Sequence, residues 1–221
     1  MTKTKKLVTC ALLVAVSTAL ALLSDILPIR LPFGGSITLV SMLPIVIAAY
    51  MFGLKWGIGS AFVYSVVQLL ISFKTVSAYF LPGEDQMVLW KALLICLIDY
   101  IIAYTVIGFA GVFRKTVKNT SASLCLGSVV GLFLRYLAHI ISGAIFFGSW
   151  AGWFFEDKFP EYGEATARFS EWALAHFSGD GLGWFYSVVY NGLYMIPEIV
   201  LTAVVAFILP LFLKKYIKVY D

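Results

Sequence analysis

Residues 132–150 read LFLRYLAHIISGAIFFGSW. Most of this stretch suits a bilayer interior; Arg135 and His139 do not. They stand four residues apart and so share one face of a helix. An ionisable side chain inside a membrane helix is costly, and it faces a protein interior or a cavity rather than lipid. Gly143 lies one turn beyond His139, and Phe146, Phe147 and Trp150 follow. Polar groups, then a residue without a side chain, then aromatics describe one wall of a small-molecule pocket. The competing reading is structural: Arg135 pairs with a carboxylate to lock helix packing, and His139 bonds a backbone carbonyl.

The rest of the chain shares this apolar character. Of 221 residues, 61% are hydrophobic and 13% charged, against about 25% charged in soluble domains. That excludes a soluble binding module or enzyme and predicts an all-α integral membrane protein in the cell membrane. Cys10, Cys96 and Cys125 fall in apolar runs, with no disulfide framework and no metal-ligand spacing. They read as packing residues.

Working outward from 132–150, the apolar runs predict a single domain, 1–221, of six transmembrane helices. Their approximate spans are 7–28, 37–52, 56–73, 88–113, 124–148 and 183–213, with an extracellular loop at 151–182. The first run follows Lys3, Lys5 and Lys6, as a signal peptide would. Its 17 uncharged residues, Leu7 to Leu23, exceed the usual apolar core of about 7–15, so a helix that stays is expected. Ala11, Ala15 and Ala19 recur every fourth residue on it and make a smooth stripe that another helix can approach closely. Residues 28–36, PIRLPFGGS, are a breaker-rich connection. Gly127 and Gly131 form a small-xxx-small pair in the fifth span. Tyr162 to Phe177 has the character of a short interfacial helix.

Six spans put both termini on one side. If that side is the cytoplasm, ten Lys and Arg residues lie inside and five outside, which satisfies the positive-inside rule. The net charge of +4 is then explained without a nucleic-acid partner.

Four buried ionisable residues break the apolar pattern: Asp99, Arg135, His139 and Glu198. At a rise of about 1.5 Å per residue, Asp99 and His139 fall at similar depth in the outer half of the membrane. Tyr64 and Gln68, and Tyr186 and Asn191, fall near the same level on two further helices. This convergence predicts a ligand pocket open to the outside. Asp99 supplies a negative acceptor, Asn191 a donor and an acceptor, and Tyr64, Tyr100, Phe147 and Trp150 supply aromatic faces. The set suits a flat, cationic nitrogen heterocycle. Two structural alternatives stay open: Asp99 paired with Arg135, and Arg135 paired with Glu198. The sequence holds no GxxxxGK[ST], HExxH or GxSxG, so neither an ATP-binding loop nor an enzyme's constellation is expected.

Four blocks carry a family resemblance. They are GGSITLVSMLPI at 34–45, LIDYIIAYTVIGFAGVFRK at 97–115, LRYLAHIISGAIFFGSW at 134–150 and FYSVVYNGLYMIP at 185–197. In this order and spacing the chain resembles the thiamine-specific substrate-binding (S) components of energy-coupling factor transporters, ThiT type. The resemblance implies high-affinity thiamine capture, with no cofactor bound by this chain and ATP used by partner subunits. It implies a transmembrane coupling protein docked on Ala11, Ala15 and Ala19, and two ATPase subunits. The thiamine ligands it implies are Asp99, Tyr100, His139, Gly143, Tyr186, Asn191 and Tyr64, with Phe147 or Trp150 stacking. Asp99 stands where the family often has Glu, and Gly35 where some members have Trp. An S component for another vitamin, or a solitary proton-coupled carrier, are the alternatives.

Overall fold

The computed structural model describes residues 1–26, 37–83, 86–213 and 215–220. The connection expected at 28–36, together with Glu84, Asp85 and Lys214, lies outside them. Among the described residues every regular element is helical. The principal helices are α1 (Lys3–Ile26), α2 (Leu43–Phe52), α3 (Leu54–Ile71), α4 (Phe73–Ala78), α5 (Leu89–Phe113), α6 (Thr120–Phe147), α7 (Glu164–His176) and α8 (Gly179–Leu213). Among the described residues, five stretches are long and apolar enough to cross a membrane, namely Lys3–Ser24, Leu54–Ile71, Leu89–Phe113, Thr120–Tyr162 and Gly179–Leu213.

The second expected span is shorter than the sequence suggests. Residues 37–42 form turns, and helix begins only at Leu43, with Pro44 in its first turn. Proline suits that position because its missing N–H has no partner there anyway. All ten residues of α2 are buried. At about 1.5 Å per residue α2 covers roughly half of a bilayer's hydrocarbon core, and it serves as the central packing element. Gly53, at φ 85°, lets the chain reverse directly into α3.

Backbones come together where side chains are small. A β-carbon on Gly127 of α6 would run into the Ala110 carbonyl of α5, and one on Gly131 would lie 3.1 Å from the Ile107 carbonyl oxygen. The expected close-packing role of this pair is what the geometry shows. Asn119 caps α6, its side-chain oxygen accepting the Ala122 N–H at 3.0 Å. At the same end of the bundle, Tyr220 straps the α2–α3 turn. Its N–H donates to the Met51 carbonyl at 2.8 Å, and its ring stacks on Phe52 at 5.8 Å. Arg114 donates to the Tyr220 carbonyl at 2.6 Å and to the Tyr50 carbonyl at 3.0 Å.

The 151–182 region is helical rather than a loop. Short turns run from Gly148 to Tyr162, and α7 follows close to where an interfacial helix was expected. Aromatic burial accounts for this order. Phe154, Phe155 and Phe159 form a second small core with Ala173 and Tyr186, and Phe177 stacks on Phe185 at 4.3 Å with an 8° interplanar angle.

Candidate functional site

α5 is not one α-helix. It begins as α-helix at Leu89–Ile95, widens into a π-helical turn at Cys96–Ile102, and continues to Phe113. Such turns recur at functional sites because they re-aim side chains inside an otherwise regular helix. This one carries Asp99 and Tyr100, and both line a cavity of about 690 Å³, within the range of small-molecule sites. α1, α3, α4, α6 and α8 supply most of the remaining walls, with Thr38 from the turn before α2, Tyr79 and Trp150 completing them.

Asp99 is the hub of the polar side. Its Oδ1 lies 3.0 Å from His139 Nδ1, and Ser142 donates to its Oδ2 at 2.8 Å. Two acceptor sites of the carboxylate are used; the others remain for a ligand. His139 Nε2 is buried with no partner among the described residues. Asp99 holds the His139 ring at Nδ1, and the ring lines the cavity while Nε2 itself is turned away from accessible space.

Asn191 lines the cavity but is held by the protein at both ends of its amide. Nδ2 donates to the His139 carbonyl at 3.2 Å and the Ser187 carbonyl at 2.9 Å, and Oδ1 accepts from Tyr194 at 2.6 Å. Gly143 explains this closeness, since a β-carbon there would meet Ser187 Oγ and stand 3.0 Å from Asn191 Nδ2.

The aromatic wall comprises Tyr79, Tyr100, Phe147, Trp150, Tyr186 and Tyr190. Phe147 meets Trp150 edge-on at 5.8 Å and Tyr79 at 6.5 Å. Both candidates for stacking therefore belong to one cluster. Tyr64 does not line the cavity. It is fully buried behind the wall, bonded to Gln68 and edge-on to Tyr104 at 5.6 Å; Gln68 and Tyr104 are the residues that reach the surface of the cavity.

Arg135 makes neither structural pair considered from the sequence. It donates to Tyr104 Oη at 3.0 Å and to Met42 Sδ at 3.2 Å, with its guanidinium 4.4 Å from the centre of the Tyr104 ring. No carboxylate lies within salt-bridge distance of it among the described residues. Glu198 holds Thr38 instead.

Several lining residues were not singled out from the sequence. Tyr104 stands four residues beyond Tyr100, and Tyr190 and Tyr194 continue the spacing of Tyr186. That i, i+4 stripe was the available signal. Ser142, three residues beyond His139, holds Asp99 without lining the cavity. Lys74, Thr38 and Ser24 carried no such signal.

A family model described as thiamine transporter protein (Thia_YuaJ) matches residues 7–153. The chain is 29% identical over 204 residues to the thiamine transporter ThiT of Bacillus subtilis (strain 168), covering 87% of this chain and 85% of that protein. A solved structure of ThiT from Listeria monocytogenes has the same fold, with a TM-score of 0.59 at 22% identity over 97% of this chain and 96% of that one. The matched region includes Asp99, His139 and Gly143 and ends before Tyr186 and Asn191. A multi-pass protein of the cell membrane and not an enzyme, the chain belongs to the thiamine transporter protein family.

Proposed function

We propose that this chain captures thiamine from outside the cell and passes it inward as the substrate-binding subunit of an ATP-driven energy-coupling factor transporter. The observation that carries the reading is the Asp99 carboxylate, held by His139 and Ser142, at the wall of an aromatic-lined cavity. An aminopyrimidine offers an amino group with two N–H donors. The free acceptor sites of Asp99 are complementary to it. A cationic thiazolium ring is complementary to the faces of Tyr79, Tyr100, Phe147 and Trp150. Arg135 lines the same cavity, its guanidinium held by Tyr104 and Met42. Tyr186 and Asn191 close the α8 side.

In this reading the end bearing α4 and α7 faces outward, and the end bearing the Tyr220 strap faces the cytoplasm. The exposed alanine face of α1 is the joint with the coupling protein. Ala11, Ala15 and Ala19 are exposed, while Cys10, Val14, Ser17 and Ala21 of the same helix pack inward. Small side chains let a partner helix slide and separate. Two ATPase subunits supply the energy; this chain binds no ATP.

Titration of the purified protein with thiamine, followed by tryptophan fluorescence and calorimetry, tests the reading. Saturable one-to-one binding at submicromolar concentration is expected. Absence of thiamine binding alongside tight binding of riboflavin or biotin would keep the transporter class and discard the substrate.

A further inference from the structure

Glu198 is a buried carboxylate that the site described above leaves unused. It lies on α8 directly after Pro197, is 1% exposed, and does not line the cavity. Its carboxylate accepts both donors of a single residue, the N–H and the hydroxyl of Thr38, the latter at 2.6 Å. Thr202 stands against the same oxygen at 3.5 Å. The Thr38 hydroxyl in turn accepts from Ser41 Oγ at 3.0 Å. One residue on, the Leu39 N–H donates to Ser24 Oγ at 2.8 Å, and Ser24 donates to the Leu20 carbonyl at 2.6 Å. The short turn before α2 is thus tied to α8 on one side and α1 on the other.

Two features give this tie a purpose beyond packing. Thr38 and Ser24 both line the cavity, so the tie ends at the ligand's surroundings. Val40, between the tied residues and α2, sits at φ 48°. A β-branched residue adopts that conformation only where its surroundings over-determine it. A buried carboxylate spent on placing one threonine is costly, and the strained valine shows that the turn does not take this shape unaided.

We propose that Glu198 is a positioning residue for ligand retention. Without touching the ligand, it fixes Thr38 and the 37–42 turn against the cavity and thereby slows dissociation. This rests on the cavity being the binding site and not on the ligand being thiamine.

The test uses the full chain with Glu198→Gln, Thr38→Val, Thr38→Ser and the Glu198→Gln/Thr38→Val double variant. A glutamine offers one acceptor oxygen where two are used, and its amide N–H₂ meets donors. Glu198→Gln and Thr38→Val are each expected to speed thiamine release about tenfold with the association rate little changed, as affinity changes within one site mostly lie in the off-rate. The double variant should be no worse than the worse single, and Thr38→Ser should match the wild type. Unchanged release rates, additive losses, or a lowered melting temperature without faster release would overturn the proposal. Should Glu198→Gln not fold, Thr38→Val carries the same test. Should the wild type not bind thiamine, the thiamine reading fails and the tie is read without it. In a variant lacking Cys10, Cys96 and Cys125, an Ala21→Cys substitution in the cavity wall reports access to a polar maleimide. Faster labelling with Glu198→Gln supports the tie, and an equal rate overturns it.

Discussion

Asp99 accepts from His139 and Ser142 and still faces the cavity. Replacing it with alanine removes the acceptor that Asp99 presents at the cavity wall and also strands the Nδ1–H of His139. Loss of a partly buried charged acceptor costs about 2–4 kcal/mol, so calorimetry on Asp99→Ala should show thiamine affinity falling by roughly 30- to 1,000-fold. Gly143→Val tests a different force. Its side chain would displace Ser187 and Asn191, and overpacking of about 1–3 kcal/mol should appear both as weaker binding and as a lower melting temperature. Asp99, His139 and Gly143 were legible because an ionisable residue in an apolar run announces itself, and i, i+4 spacing gives its face. Tyr64 was not. Depth along a helix was computable, but its azimuth against neighbours was not, and the side chain turns behind Gln68 and Tyr104. That Arg135 has no carboxylate within salt-bridge distance among the described residues was equally hidden, since only the fold decides which of several distant residues meet.

At the scale of elements, α1 separates its two faces. The inward residues are packed, and the Ala11, Ala15, Ala19 face is open. Ala15→Trp should therefore leave thiamine binding by the isolated protein intact and abolish ATP-dependent uptake by the assembled transporter; impaired binding would mean that the face belongs to the bundle. On the far side, Gly127→Leu would drive α6 off the Ala110 carbonyl and should destabilise the protein by about 1–3 kcal/mol or more, seen as a lower melting temperature. Long apolar runs made the long helices readable. The short α2 was not readable, because a run from Ile37 onward is apolar whether helical or turned. The helix at Glu164–His176 was legible, but the helical turns over 151–162 were not, because their charges suggested solvent whereas their phenylalanines decided the packing.

For the molecule as a whole, the two ends of the bundle differ in kind. One gathers the cavity and the aromatic cluster, and the other gathers Lys55, Arg114, Lys118 and the Tyr220 strap. Cysteines at Thr166 and at Lys218 should react with an impermeant maleimide in intact cells only at the first, confirming the orientation drawn from charge. The charge bias was legible because it depends on sequence position alone; the strap was not, because nothing local predicts where a tail returns. The π turn at Cys96–Ile102 has a reach beyond the site it serves. A wide turn is a phase shift in the helix that contains it. The side chains before and after it follow two angular series, so no single helical wheel describes Leu89–Phe113. Removing one residue within the turn would re-register one half of the helix against the other. It would carry Asp99 off the cavity or swing Gly108 and Gly111 out of their seats against α2 and α3. A one-residue deletion there is a rotation of half a helix, and it should damage binding and stability together where a substitution at the same place damages only one.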